Sequence, residues 1–107
     1  MAARLFDDPV LARFRQAVND IFGDRIERIV LFGSRSRGEA GEDSDYDIAV
    51  FLRDFTERWP EIDRLVAVET DLLYEVGAFI HAMPFAAGAW QERSPLMAAV
   101  RRDGVDL

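Results

Sequence analysis

An α/β fold, a small sheet backed by helices, is what this chain predicts, and three observations carry that expectation. Segments with helical spacing of apolar residues alternate with short β-branched runs. Glycines and prolines stand at the junctions between them. Half of the 107 residues are hydrophobic, enough for one domain, residues 1–107, with one core.

Taken in order, Pro9 to Phe22 repeats apolar residues at Val10, Leu11, Phe14, Val18, Ile21 and Phe22, a helical period. Asp8 can cap this helix with Pro9 in its first turn, and Gly23 can end it. Ile26 to Phe32 (IERIVLF) is a β-branched run that reads as a buried strand ending at Gly33. Ser34 to Arg37 can form a short helical turn, and Gly38 to Asp43 reads as a loop. Tyr46 to Leu52 (YDIAVFL) is a second strand, close enough in sequence to lie antiparallel to the first. Glu57 to Glu75 is helical by its spacing of Ile62, Leu65, Val66, Val68, Leu72 and Leu73, with Pro60 in the first turn and Gly77 beyond the end. Ala78 to Phe85 (AFIHAMPF) reads as a third strand, with Pro84 near its end or on a sheet edge. Ser94 to Arg102 is a last short helix, capped by Ser94 with Pro95 behind it.

Composition narrows the function. The formal charge of −7 disfavours direct binding to a nucleic-acid backbone, which needs a positive surface. A nucleotide can still bind if a divalent cation bridges it to the protein. All 13 basic residues are arginine, so a lysine nucleophile and a P-loop lysine are excluded. Cysteine is absent, which removes disulfides and thiolate metal sites and is compatible with a cytoplasmic setting. No apolar stretch reaches membrane-spanning length, and MAARLFDDPV has no apolar core of signal-peptide length, so neither insertion nor export is expected.

The chemistry concentrates in LFGSRSRGEAGEDSDYDIAV, residues 31–50. Asp45 and Asp47 stand at i and i+2, so in a strand they share one face. At ~3.3 Å of rise per residue they lie roughly 6–7 Å apart, too far to share a proton but suited to clasping one cation. Magnesium is commonly held by one or two carboxylates together with substrate phosphates. Gly33 and Ser34 stand at a strand end before a helical turn, where backbone N–H groups can cradle phosphate. Arg35 and Arg37 can add charge-assisted bonds to phosphate or pyrophosphate. Each feature alone has a plainer explanation: Gly-Ser as a turn, Asp43, Ser44 and Asp45 as turn formers, the arginines as solvated residues. Their conjunction is specific, and Asp47 at the edge of a buried run is costly without a partner.

These residues resemble the signature of the DNA polymerase β-like nucleotidyltransferase superfamily: Gly-Ser, a spacer, then Asp-x-Asp on the following strand. The Gly-Ser-Arg-x-Arg-Gly form and the small size are similar to its minimal nucleotidyltransferase group, often antitoxin partners of HEPN-domain toxins. The resemblance implies a minimal nucleotidyltransferase fold, a small mixed sheet with helices packed on one side. It also implies that Gly33 and Ser34 contact a triphosphate and that Asp45 and Asp47 hold Mg2+. The implied reaction is transfer of AMP from ATP to a hydroxyl, in this group a tyrosine of the HEPN toxin.

One departure stands out. Active members of the superfamily carry a third carboxylate on a later strand, and Ala78 to Phe85 contains none. His81, the single histidine, lies in mid-strand. It reads either as a base or weak metal ligand in that third position, or as a core histidine bonded to backbone. Glu75 is the nearest carboxylate, at a helix end, while Glu69 and Asp71 read as a solvated helix face. The chain therefore reads as a Mg-dependent adenylyltransferase or, alternatively, as a catalytically impaired module that neutralises its toxin by forming a complex. Trp59, Trp90, Tyr74, Phe55 and Phe85 are candidate partner contacts or core residues.

Overall fold

The computed structural model describes residues 8–38 and 45–107. Helix α1 (Pro9–Phe22) starts where Asp8 Oδ1 accepts from the Val10 N–H at 2.8 Å, and it ends at Gly23. A single 3-10 turn (Gly23–Arg25) leads into β1 (Ile26–Phe32). Strand β2 (Tyr46–Leu52) returns antiparallel to β1, with Phe32 opposite Asp47 and Ile26 opposite Leu52. Helix α2 (Arg58–Val76) then crosses back, so that β3 (Ile80–Ala86) runs parallel to β2. A 3-10 turn (Ala89–Gln91) precedes α3 (Pro95–Asp103), whose Ser94 cap accepts from the Met97 N–H at 3.1 Å.

A two-residue strand β4 (Val105–Asp106), which no sequence period signals, pairs antiparallel with β1. The sheet order is β3-β2-β1-β4, a mixed sheet of the expected α/β class. Element bounds fall within two residues of expectation; the largest shift is in β3, which starts at Ile80 rather than Ala78. Residues 39–43 of the expected loop lie outside the described residues. Among the described residues no helix is long and apolar enough to cross a membrane.

Strand alternation splits the core into two layers. On one face Ile29, Leu31, Ile48, Val50 and Leu52 pack against Leu11, Phe14 and Val18 of α1 and Leu65, Val68 and Leu72 of α2. On the other, Val30, Phe32, Ala49 and Phe51 pack against Met97 and Val100 of α3. The expectation that all helices lie on one side is therefore corrected. Helices α1 and α2 share a face, and α3 covers part of the opposite one. The physical reason is that β1 and β2 are apolar on both faces, so both need a cover.

Candidate active site

The site forms where β1 ends and β2 begins. Gly33 leaves β1 with φ +79°, and the chain folds into a tight turn. Within that turn the Arg37 N–H donates to Ser34 O at 3.2 Å and the Gly38 N–H to Arg35 O at 3.3 Å. Ser36 Oγ closes it by donating to Gly33 O at 2.7 Å. This is the helical turn the sequence suggests, and it sets Ser34 at the mouth of the site.

Asp47 lies on the central strand of this end of the sheet, between Phe32 of β1 and His81 of β3. Its carboxylate fills the space beside Gly33: a Cβ there would stand 2.6 Å from Asp47 Oδ2. Burial pushes the Asp47 carboxyl above its ordinary range, nearby His81 pulls it down, and Asp45 pushes it up. Two carboxylates repelling each other at a partly buried strand end form a donor set that a hard cation would relieve. Among the described residues no three His, Cys, Asp or Glu side chains gather into a metal cage. A cation here would take its remaining ligands from phosphate and water.

The parallel register brings His81 to the same face as Asp47, with Nδ1 3.9 Å from Asp47 Oδ1. Its side chain is 64% exposed, so the core-histidine reading gives way to a solvent-facing imidazole beside the aspartate. Glu75 is elsewhere: it accepts from Arg13 Nη1 at 2.7 Å, tying α2 to α1. Asp71 lines a cleft of about 370 Å³ between the same helices, away from Asp47. Glu69 departs from the solvated-face reading. It is half-buried, burial raises its carboxyl above the ordinary value, and the nearby Ala82 N–H and His81 pull it back down.

The two arginines diverge. Arg35 stacks with Cζ 3.9 Å from the Tyr46 ring centre. Tyr46 in turn donates its hydroxyl to Asp8 Oδ2 at 2.7 Å, and burial followed by this bond pushes its phenol up to about 12. Arg37 instead donates to Asp103 Oδ2 at 3.2 Å, at the end of α3. Tyr46 and Asp103 thus support the site, and sequence spacing gives no signal for either. Of the candidate contact residues, Trp59 and Tyr74 are 74% and 84% exposed. Phe55 and Phe85 pack against the two core layers, and Trp90 donates to Glu27 Oε1 at 3.0 Å.

Comparison with known proteins agrees with this geometry. Residues 11–95 match the nucleotidyltransferase domain family. The candidate protein adenylyltransferase MJ0604 of Methanocaldococcus jannaschii is 31% identical over 77 residues, 72% of this chain and 71% of that protein. The candidate protein adenylyltransferase MJ1305 of the same organism is 37% identical over 71 residues, 64% of this chain and 47% of that protein. This chain thus spans about half the length of MJ1305. Among solved structures, a nucleotidyltransferase-like protein of Sulfolobus solfataricus superposes with a TM-score of 0.62 at 16% identity, over 91% of this chain and 75% of that one. A chain of a toxin–antitoxin complex crystallised with AMP-PNP superposes with a TM-score of 0.60 at 21% identity, over 89% of this chain and 69% of that one. A sheet of this order, a Gly-Ser turn against an Asp-x-Asp strand, and a family match over most of the chain lead to one assignment: this chain belongs to the nucleotidyltransferase domain family.

Proposed function

We propose that this chain transfers AMP from ATP to a hydroxyl, a tyrosine, of a HEPN-type toxin and so neutralises it as an antitoxin. The observation that carries this reading is the contact of Gly33 with Asp47, which joins a phosphate-binding turn to a cation-binding carboxylate. Asp45 and Asp47 would hold Mg2+. When bound, that ion neutralises the triphosphate oxygens and the departing pyrophosphate. The Gly33–Ser34 backbone and the Ser34 hydroxyl bind phosphate oxygens. Arg35, oriented by its stack on Tyr46, and Arg37, anchored at Asp103, flank the turn and supply positive charge.

In the transfer the acceptor oxygen attacks the α-phosphorus, the bond to pyrophosphate breaks, and pyrophosphate leaves. His81, solvent-exposed beside Asp47, would take the acceptor's proton. The candidate protein adenylyltransferases among the relatives support the reaction class. The toxin–antitoxin neighbours support a toxin partner. One of them, MntA-HpeT, was crystallised with two aspartates, spaced as Asp45 and Asp47 are, changed to glutamate.

A second reading has its own observation. Strand β3 carries no carboxylate, so the chain can hold nucleotide and neutralise its toxin by occlusion alone. Intact-mass spectrometry of the toxin encoded by the adjacent gene, after incubation with this chain, ATP and Mg2+, separates the two. A gain of AMP mass that disappears in Asp45→Asn is the expected outcome. An unmodified toxin in a stable complex favours occlusion.

A further inference from the structure

Asp47 and α3 lie on the same side of the sheet. Asp47 shares the strand face of Ala49 and Phe51, and those two pack against Met97 and Val100 of α3. The end of that helix stands at the end of the sheet where the site forms. Val105 of β4 pairs with Leu31, so Asp103, two residues earlier, comes level with Gly33, two residues later. Across the sheet, in the order β3-β2-β1-β4, this end carries His81, then Asp47, then the Gly33 turn, then the last residues of α3.

Two guanidiniums meet at that last position. Asp103 Oδ2 accepts from Arg37 Nη1 at 3.2 Å and from Arg102 Nη2 at 3.0 Å, and Asp103 Oδ1 accepts from Arg102 Nε at 3.2 Å. The Asp103 side chain is 10% exposed, whereas that of Arg102 is 70% exposed. The Arg102 hydrogen bonds, with Arg37 adding to them, hold the Asp103 carboxyl below its ordinary range. The carboxylate therefore keeps its charge and draws both arginines to one point, although the charge of Arg37 works against that of Arg102. An exposed ion pair between adjacent residues adds little to stability, so the fold gives little reason for the second arginine.

The pair fits an anion. A guanidinium carries five N–H donors, so one that holds a carboxylate on one edge can hold a phosphate oxygen on another. The neighbouring Gly33–Ser34 turn offers backbone N–H groups to the same kind of ligand. From β2 to β4 is two strand spacings, roughly 10 Å, a gap that a triphosphate and a long arginine side chain close between them. We propose that Arg102, set beside Arg37 by Asp103, receives the terminal phosphate of a nucleoside triphosphate whose α-phosphate lies at Asp47. This inference rests on the nucleotide-transfer reading and adds a residue, outside the Gly-Ser and Asp-x-Asp motifs, that tells a triphosphate from a diphosphate.

The test is calorimetric binding of Mg-ATP and of Mg-ADP to the full chain. The variants are Arg102→Gln, Arg102→Lys and, as a control for lost charge, Arg93→Gln at an exposed residue ahead of α3. The wild type is expected to hold Mg-ATP more tightly than Mg-ADP by about tenfold, the worth of one charge-assisted hydrogen bond. Arg102→Gln should bring that ratio close to one with an unchanged melting temperature. Arg102→Lys should recover part of it, and Arg93→Gln all of it. An Arg102→Gln variant that keeps the full preference overturns the proposal, as does one that weakens both nucleotides equally. A wild type that binds the two nucleotides alike also overturns it, while the nucleotide reading stands. A wild type that binds neither removes both.

Discussion

Gly33 is fixed as glycine twice, by its φ of +79° and by the Asp47 carboxylate that occupies the place of a Cβ. Gly33→Ala therefore pushes the carboxylate off its position and strains the turn. We expect a stability loss of about 1–2 kcal/mol in chemical denaturation and loss of Mg-dependent ATP binding by calorimetry; unchanged binding would dissociate the turn from the site. Asp47→Asn acts in opposite senses. It removes a charge that burial and Asp45 both disfavour, so the melting temperature should rise by about 2–4 °C in metal-free buffer. The gain stays below about 1 kcal/mol because the side chain is 37% exposed. Mg-ATP binding should vanish in the same variant. A lower melting temperature together with intact binding would assign Asp47 to structure instead. This part of the candidate site was legible in the sequence because Gly-Ser and Asp-x-Asp are short-range patterns. The placement of His81 beside Asp47 was not, because only the parallel register of β2 and β3 decides it.

At the scale of elements, helices and strands followed from apolar periods, while their faces and edges did not. Strand β4 is too short for a period, and it forms because Gly104 lets the chain turn tightly from α3 onto β1. A Cβ at Gly104 would lie 2.2 Å from Val100 O and 2.6 Å from Val30 Cγ1. Gly104→Ala must part α3 from β1 and should cost about 1–3 kcal/mol by denaturant titration; a neutral result would mean that the α3–β1 junction yields easily. Buried Glu61 was equally hidden in a helical run, since its partners Arg25 and Arg64 lie on the strand-entry turn and one helical turn ahead. Glu69 read as solvated because a period cannot show that a strand edge lies within its reach. Its raised carboxyl has a defined sign. Near and above its ordinary value of 4.5 the native state holds that proton more tightly than the unfolded chain, so stability falls as pH rises through the folded value. Glu69→Gln keeps the size and shape of the side chain and removes this loss. Its melting temperature should therefore gain on the wild type between pH 4 and pH 7, and a constant difference across that range would show that Glu69 ionises without penalty.

For the whole molecule, the site draws on segments far apart in the chain. The end of β1 leads into Gly33, the start of β2 brings Asp45 and Asp47, the start of β3 His81, and the end of α3 holds Arg37 through Asp103. A ligand bound across these segments requires the whole sheet to be assembled, so binding and global folding are linked. Charge decides which ligand can do this. ATP alone would bring a polyanion to a chain of charge −7 whose candidate site presents two aspartates, whereas Mg-ATP would bring a cation to them. At ligand about 100 times its Kd the linkage amounts to about 2.7 kcal/mol. For a domain of this size that raises the melting temperature by roughly 10 °C or more. Thermal denaturation should show that rise with Mg-ATP, little with ATP in chelator, and little with Mg2+ alone. Asp45→Asn should respond weakly to all three. A full shift from ATP in chelator would mean that the turn and its arginines hold the nucleotide unaided, and Asp45 and Asp47 would then need a role other than a cation clasp.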